Sequence, residues 1–590
     1  MAASSLCKVP APGQSTSDTE IEWQFDAVDL RPVERWLAAS SSPAVSNGAD
    51  GDAGYVIEAL APTQLVDAYL DTGDWRMSRS GFVLRIRRRE GRAEVTIKDG
   101  GERRDGLRRR LEVTEPLPAE GLGALGQEGP VGRRLTALAG TRPLGKVLEI
   151  RTSRHPFAVR IGNTEVAELA LDETVIEVAA GSSPVRLRRV EVEVVDADAV
   201  GRVEPLVARL RAECGLQPAA VSKFEAGIRA AGIEIQGEPD VGPTELSRDP
   251  SVGELATVVL RRNLLAMLAH EAGTRLGDDP EELHDMRVAT RRMRAALAVF
   301  ADVLPPKAQH LRDELGWIAE SLGAVRDLDV QLERVEQWME EVPEDDRKAL
   351  GDLGRLLDHQ RQDARRRLLA TLESTRYERA VADFSSLVRQ EPSQLPAAAA
   401  APAVVVVPEL LRARHRAVAK AAKRVKHTGA PDDLHKLRIR GKRLRYALEF
   451  VAEIYGTHTK KYVRQLVRMQ DTLGLIQDAR VAAERLHTLV VERSGLLSHA
   501  SVFVMGGVAE RYRQESARLA RDVPGRMKKV TGRRWRQLAA YLDRRRLEAA
   551  PRFTSGVPAA AGATAPAVQE QRSNGHHLRQ PVTQEGERSS

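Results

Sequence analysis

The sequence twice places a histidine and three basic residues on one side of a helix. At about 100° per residue, each set falls on a single stripe. The sets are His284, Arg287, Arg291 and Arg294 in the first helix and His435, Arg438, Lys442 and Arg445 in the second. Like charges at this spacing destabilise a bare helix by roughly a few tenths of a kcal/mol per pair. Because Arg and Lys bind phosphate oxygens and a nearby phosphate favours charged His, the stripes predict a bound anion.

Two other interpretations of the stripes remain open. The basic side chains could cover a solvated helix face, with their stems lying along the surface. They could also pair with Asp327 and Asp478, which lie further along each copy. Neither alternative needs a ligand.

The basic stripes belong to an internal repeat. The segments beginning at Leu283 and Leu434 match, as do those beginning at Leu322 and Leu473, and both pairs are 151 residues apart. The two copies therefore stay in register without a net gap. Periodicity after residue 250 is helical, so the repeat predicts two similar helical bundles related by approximate two-fold symmetry.

Before residue 235 the pattern changes to alternation with a period of two, which predicts strands. One face of these strands is apolar and the other carries charges of both signs. The charged positions include Glu20, Glu22, Arg85, Arg87, Arg108, Arg110, Glu112, Glu191 and Glu193. A sandwich would place such a face in solvent, whereas a barrel with a polar lumen would place it inside.

The change from strands to helices along the chain predicts an α+β protein of several domains, and composition predicts where the domains begin and end. The predicted boundaries are a disordered leader at 1–18, a strand-rich domain at 19–232, a linker at 233–250, a helical domain at 251–548 and a disordered tail at 549–590. Within the helical domain the repeats span about 251–390 and 408–546, separated by a Pro- and Ala-rich stretch.

Bulk composition limits the partners. The 590 residues carry a net charge of +7, and the basic clusters predict an anionic partner. Only 4% of residues are aromatic and no base-stacking motif is visible, which disfavours nucleic acid. No long uncharged apolar segment predicts a membrane span, and no start typical of a secretory signal is present. With two cysteines, Cys7 and Cys214, the expected location is the cytoplasm.

The helical half, about residues 250–545, resembles the CHAD domain, a conserved histidine α-helical domain. The resemblance is carried by His-x-x-Arg at 284–287 and 435–438, followed by Arg291 and Lys442, and by the repeated Leu-Gly-x-x-x-Asp-x-x-Val element. It implies two four-helix bundles whose basic channel binds inorganic polyphosphate, often at polyphosphate granules. It implies no catalysis in this half.

The strand-rich half resembles the CYTH superfamily of triphosphate tunnel metalloenzymes. The matching segments, in the expected order, are Glu20-Ile-Glu-Trp-Gln24, Tyr69-Leu-Asp-Thr-Gly-Asp-Trp-Arg76, Leu84-Arg-Ile-Arg87, Thr96-Ile-Lys98, Glu168 to Asp172, Glu191-Val-Glu193 and Ser222-Lys-Phe-Glu225. The resemblance implies an eight-stranded antiparallel tunnel whose charged face lines the lumen.

The CYTH resemblance also implies a site. The catalytic residues would be Glu20, Glu22, Arg85, Arg87 and Lys98. The phosphate-binding residues would be Arg85, Arg87, Lys98, Arg110, Arg151 and Lys223. A Mg²⁺ or Mn²⁺ ion would be held by Glu20, Glu22, Asp172, Glu191 and Glu193, since both ions prefer carboxylate oxygens. The alternative is that acidic and basic residues simply neutralise one another inside the barrel.

The sequence departs from the family pattern at Gln24, where a lysine is expected. This substitution leaves two hypotheses in place, a metal-dependent triphosphatase and a tunnel that only binds phosphate polymers. A nucleotide cyclase and a nucleic-acid binder are further alternatives, ranked lower because no adenine pocket and no stacking motif can be recognised.

Overall fold

A computed structural model describes residues 16–40, 54–125, 129–177, 184–235, 239–391, 394–493 and 498–553. The predicted leader and tail fall almost entirely outside these ranges. Strand β1 nevertheless begins at Thr16, inside the predicted leader, and the last helix continues to Phe553, past the predicted start of the tail.

The first half is a closed barrel of eight antiparallel strands. They are β1 (Thr16–Asp26), β3 (Thr63–Thr72), β4 (Phe82–Arg89), β5 (Arg92–Asp99), β7 (Leu107–Pro116), β8 (Leu144–Ile161), β9 (Thr164–Ile176) and β10 (Val185–Val194). Their order is β1-β10-β9-β8-β3-β4-β5-β7, and pairing of β7 with β1 closes the ring. Short strands β2 (Tyr55–Ala59), β6 (Glu102–Arg104) and β11 (Gln217–Pro218) pair with β8, β7 and β1. The predicted eight-stranded antiparallel tunnel is confirmed.

Helices cover the apolar outer face of the barrel. They are α1 (Arg31–Ser40), α2 (Arg76–Arg79), α3 (Pro130–Leu138) and α4 (Val200–Cys214), whereas a fifth helix, α5 (Lys223–Ala230), lies elsewhere. Trp23 and Phe25 of β1 share a core with residues of α1 and α4, such as Leu37 and Leu206. Because side chains alternate along a strand, this packing turns Glu22 and Gln24 toward the lumen.

Helix α5 closes one end of the barrel. Its Phe224 and Ile228 pack with Tyr69, Ile150 and Ile176, which occupy lumen-facing positions of β3, β8 and β9. An apolar plug at this end also excludes water from the neighbouring charges, which strengthens their interactions.

The second half is helical. Its first repeat contains α6 (Val252–Ala269), α7 (Glu271–Leu276), α8 (Pro280–Val299), α9 (Lys307–Glu341), α10 (Glu344–Glu373) and α11 (Thr375–Val388). The second contains α12 (Ala403–Thr428), α13 (Pro431–Phe450), α14 (Ala452–Tyr455), α15 (Thr457–Arg493), α16 (His499–Ala520), α17 (Val523–Thr531) and α18 (Arg533–Phe553). Within the described residues, no helix is long and apolar enough to cross a lipid bilayer.

Equivalent residues of the two repeats bond to each other. The Val252 amide donates to the Ala401 carbonyl at 2.8 Å, and the Ala403 amide donates to the Pro250 carbonyl at 2.9 Å. Each partner is displaced by 151 residues from its counterpart in the other bond, so the pair is reciprocal. An approximate two-fold axis therefore passes between the starts of α6 and α12, as the sequence repeat predicts.

Helix α12 begins inside the stretch that composition predicts to be a connection. It starts at Ala403 and continues through Pro408. Proline lacks an amide hydrogen and so leaves the carbonyl of Val404, four residues earlier, without its helical donor. The Tyr455 hydroxyl donates to that carbonyl at 3.3 Å, which compensates for the missing bond.

The barrel and the helical half share an interface. Arg76 of α2, with a side chain only 11% exposed, donates to Glu373 at 2.7 and 2.8 Å and to Glu378 at 2.9 Å. Arg134 of α3 pairs with Asp278 at 2.8 Å, and Leu276 of α7 packs against the barrel core. A buried charged network and apolar packing thus join the two halves.

We expect the substitution Arg76→Met to lower the free energy of unfolding by about 2 kcal/mol, because it leaves Glu373 with half of its partners and removes a donor from Glu378. Chemical denaturation of the full chain measures this loss. The substitution Arg79→Met, which removes an exposed charge from the same helix, should change the value by less than about 0.5 kcal/mol. Equal effects of both would contradict the interface.

Candidate functional site

The barrel lumen is lined by charged side chains of both signs. The acidic positions are Glu20, Glu22, Asp67, Glu112, Glu168, Asp172, Glu191 and Glu193, and the basic positions are Arg85, Arg87, Lys98, Arg108, Arg110, Arg154 and Lys223. All come from strands except Lys223, the first residue of α5. Strand register brings side chains that are distant in sequence into one confined volume.

The first group of charges lies on β1, β5 and β7. Glu20 pairs with Lys98 at 2.8 Å and with Arg110, and Glu22 pairs with Arg110 at 2.6 Å. Burial opposes the charge of Glu20, but Lys98 and Arg110 hold its pKa well below the usual range. Burial and the charge of Glu20 raise the pKa of Glu22, which shares its one cation.

The second group lies on β8, β9, β10 and α5. Asp172 accepts two hydrogen bonds from Arg154, at 2.7 and 2.9 Å, and a third from Lys223. Glu191 pairs with Lys223 at 2.9 Å and with Arg154. Although Glu191 is buried, Lys223 and Arg154 hold its pKa well below the usual range.

Gln24 lies between the two groups. Its Nε2 donates to Glu22 at 2.9 Å and to Glu191 at 3.3 Å, while its buried Oε1 has no partner among the described residues. The residue is neutral, yet the ammonium group of Lys223 lies on the same Glu191 carboxylate. Helix α5 therefore brings a cation next to the position where β1 has an amide.

In the helical half, the two basic stripes converge where α8 and α13 meet. Lys442 is surrounded by arginines of both helices. Its pKa falls to about 8 because of burial and the charges of Arg438, Arg291 and Arg445. The repeat has therefore placed like charges from both copies at one position.

Several buried nitrogen atoms at this junction have no hydrogen-bond partner among the described residues. Within the described residues, the buried atoms His284 Nδ1, Arg291 Nε and Arg438 Nε make no hydrogen bond. Burial lowers the pKa of His284, and the charge of Arg326 lowers it further. Unsatisfied buried donors are costly, so the arrangement favours an anion that accepts from them.

The same halves are matched by two family models, CYTH at residues 45–204 and CHAD at residues 258–487. The chain joins a CYTH domain to a CHAD domain.

Solved structures similar to this chain include the CHAD domain from the plant Ricinus communis. That structure has 27% identity and a TM-score of 0.42, and the match covers 48% of this chain and 93% of that chain. PptA from Streptomyces chartreusis has 21% identity and a TM-score of 0.40, with 47% and 99% covered. HpAC1 from Hippeastrum, described as revealing a dominant triphosphatase activity, has 17% identity and a TM-score of 0.27, with 37% and 98% covered.

The CYTH lumen contains most of the sequence-predicted site residues, with one exception. Arg151 lies on the outer face of β8, where its side chain is 59% exposed and pairs with Glu149 at 3.3 Å. Arg154, three residues later on the opposite face, occupies the lumen instead. Arg87 is held by Asp67 through two bonds of 2.8 Å, whereas Arg85 has only Thr96 at 3.4 Å and Glu112 at 3.5 Å.

The predicted site omitted five lumen residues, Asp67, Arg108, Glu112, Arg154 and Glu168, although Arg108 and Glu112 were predicted to lie on the charged face of their strand. Alternation along each strand contained the signal, because Arg108 and Glu112 share the face of Arg110, and Arg154 shares that of Thr152. Arg108 is crowded as well as buried, and its pKa falls to about 10 through burial and the charges of Arg103 and Arg110.

The predicted polyphosphate-binding residues of the CHAD domain differ in how far they are paired with other side chains. His435 Nδ1 lies 3.1 Å from Gln477 Oε1, and Arg445 lies 3.4 Å from Glu449. Arg294 is exposed. Among the described residues, Arg287 is the one member of the stripes that pairs with Asp327, at 3.8 Å, and none of them pairs with Asp478. Pairing within the protein therefore satisfies only part of the predicted anion site.

The lumen carboxylates fit a divalent cation that arrives with phosphate. Within the described residues, no three His, Cys, Asp or Glu side chains are arranged to hold a metal by themselves. Mg²⁺, however, is often bound through one or two carboxylates and substrate phosphates. Glu193 faces Glu22 across the β1–β10 ladder and pairs with no described cation. Its pKa is raised well above the usual range by burial and by the charges of Glu20 and Glu112.

We expect the substitution Glu193→Gln to raise the Tm of the metal-free protein by about 2 °C or more, because it removes an uncompensated carboxylate from the lumen. Differential scanning calorimetry in chelator measures the shift. Adding Mn²⁺ with tripolyphosphate should then raise the Tm of the original protein more than that of the variant. The control Glu173→Gln changes an exposed residue of β9. An unchanged or lower metal-free Tm for Glu193→Gln would contradict this account.

Proposed function

We propose that the chain is a polyphosphate-associated phosphohydrolase. Its CYTH tunnel binds and hydrolyses inorganic triphosphate or a related linear triphosphate with Mg²⁺ or Mn²⁺, and its CHAD domain binds inorganic polyphosphate, which would place the chain at polyphosphate granules. The observation that carries the enzymatic part is the closed lumen in which basic side chains face paired carboxylates.

The lumen supplies what a triphosphate needs. Arg85 is an available guanidinium, since its contacts are long and its buried Nε has no partner among the described residues. Lys98 and Arg110 are held by Glu20, and a phosphate chain would compete for both cations. Once Lys98 and Arg110 bind phosphate, the carboxylates of β1 would be free to bind a metal ion. Substrate binding and metal binding would therefore support each other.

Catalysis by this site rests on charge and position. A divalent cation there would neutralise phosphate charge and orient the attacking oxygen. Glu22 and Glu193, on facing strands, would be the ligands of this cation, with Glu20 and Glu191 beside them. Arg85, Arg87 and Lys223 would keep the phosphates in line. The apolar plug of α5 would limit the access of water to the lumen from its end of the barrel.

A second function is a tunnel that binds phosphate polymers without turnover. Gln24 favours it, because the amide brings no charge to a position where the family pattern has lysine. The extensive ion pairing of the lumen favours it as well, since paired cations are less available to substrate. Lys223 argues for the enzyme, because its ammonium group lies beside Gln24 on the same carboxylate.

We expect the purified chain to release phosphate from tripolyphosphate when Mg²⁺ or Mn²⁺ is present and not in chelator. Phosphate release from tripolyphosphate, long polyphosphate and ATP ranks the substrates. The substitution Arg85→Met should lower kcat/KM for tripolyphosphate about 100-fold, whereas Arg151→Met, on the outer face of the barrel, should leave it unchanged.

The outcomes separate the alternatives. Phosphate release that both variants retain would place the activity outside the lumen. Polyphosphate binding without release from any substrate would overturn the hydrolase and favour the binding-only tunnel. Formation of cyclic nucleotide and pyrophosphate from ATP would identify a cyclase.

Polyphosphate binding by the CHAD domain is supported by crowded and unpartnered basic groups. Arg438, Arg291, Arg445 and Arg287 lie close enough to lower the pKa of Lys442. Arg291 and Arg438 each have a buried Nε–H donor without an acceptor, and the buried Nδ1 of His284 has no partner among the described residues. A linear polyanion supplies an acceptor every few ångströms and relieves the repulsion along its length.

We expect the affinity for long-chain polyphosphate to fall as the pH rises above about 8. In the protein without ligand, Lys442 has a pKa of about 8. A bound anion would raise this pKa, so binding above about pH 8 requires uptake of a proton and becomes weaker as the pH rises. Isothermal titration between about pH 7 and pH 9.5 measures the trend. The substitution Lys442→Arg keeps the charge and should flatten the profile, so parallel profiles for both proteins would contradict this role.

A further inference from the structure

Tyr446 lies at the centre of the CHAD basic junction. It belongs to α13, follows Arg445 and is only 4% exposed. Its hydroxyl oxygen is buried and has no hydrogen-bond partner among the described residues. The equivalent position in the first repeat, 151 residues earlier, is Ala295 on α8. Tyr446 therefore breaks the two-fold symmetry of the residues around the junction.

The ring of Tyr446 is surrounded by guanidinium groups. The central carbons of Arg445, Arg292 and Arg291 lie 5.3, 5.9 and 6.0 Å from the ring centroid. Cations within about 6 Å of an aromatic face are attracted to it, so one ring helps to hold arginines from both repeats.

The arginines around Tyr446 cannot satisfy its O–H donor. Arginine side chains are donors only and offer no acceptor for the phenol hydrogen. A buried hydroxyl without an acceptor loses the hydrogen bond that it makes to water in the unfolded chain. An acceptor that is attracted to several arginines at once is an anionic oxygen.

We propose that Tyr446 contacts the ligand of the CHAD site, its hydroxyl donating a hydrogen bond to a phosphate oxygen of bound polyphosphate while its ring holds the flanking guanidinium groups. This inference rests on the proposed polyphosphate binding by the CHAD domain. Because α8 has Ala295 at the equivalent position, the contact is made on one side of the two-fold axis.

The test is the substitution Tyr446→Phe in the full chain, titrated with long-chain polyphosphate at several salt concentrations. We expect Kd to rise about tenfold, since a hydrogen bond to a charged group is lost. The slope of log Kd against log salt should not change, because no cation is removed. The reference Arg291→Gln, which removes one, should reduce that slope by about one. The unfolding temperature without ligand should be unchanged or higher, because the unpartnered hydroxyl stabilises nothing.

The control Tyr541→Phe removes a hydroxyl that accepts a hydrogen bond from Arg545 of the same helix, α18. It should leave Kd unchanged. Equal affinity of Tyr446→Phe and the original protein would overturn the hydroxyl contact, as would a loss of affinity accompanied by a reduced salt slope, which would show that the ring acts only through the arginines. Absence of polyphosphate binding by the original protein would overturn the proposed binding function and this inference with it.

Discussion

Closure of the barrel forces most of its charges to be paired. An open sheet with one apolar and one charged face would leave the charges in water, but β7 pairs with β1 and turns that face into a confined lumen. In this environment an unpaired carboxylate is costly, so Asp172 needs Arg154 and Lys223, and Glu20 needs Lys98. The rest of the CYTH domain serves this pairing. Helix α5 is capped by Ser222 and Glu225 and anchored by its apolar plug, and these contacts hold Lys223 at the lumen.

The CHAD domain uses the opposite arrangement, since it collects like charges and leaves them unmatched. The helices that carry them are held by their other faces, where Met286, Met293, Leu437 and Leu444 are buried in one core. That packing supplies the free energy that keeps the cations together despite their repulsion. The cost appears in the lowered pKa of Lys442. The lumen, where most charges are matched, and the junction, where they are not, are thus two different environments. An anion would have to displace carboxylates in the lumen, whereas at the junction it would relieve repulsion.

Periodicity in the sequence predicted the strands, the helices and the repeat, and the resemblance to the CYTH superfamily predicted the closed tunnel. Alternation fixes which residues of a strand share a face and helical periodicity fixes which residues share a stripe, so the charged face and the repeated basic stripes could be predicted. Alternation does not fix which face of a strand lies inside, and Arg151 was predicted for the lumen on β8, where Arg154 on the opposite face reaches it. Tyr446 could not be found by comparing the repeats, because Ala295 takes its place in the other copy. Its importance arises from three-dimensional convergence of α8 and α13, which no local pattern contains.

The interface gives the two sites a fixed relation through one repeat. Arg76 of the barrel binds Glu373 at the end of α10, and Arg275 of α7 binds the same carboxylate at 3.1 Å. Helix α8, which carries His284, begins four residues after α7 ends. The first repeat is therefore anchored on the barrel, whereas the second is attached to the first through the reciprocal bonds near its start and across α8 and α13. A shift between the repeats would change the spacing of the basic residues without disturbing the tunnel, and an anion that bridges both stripes would oppose that shift.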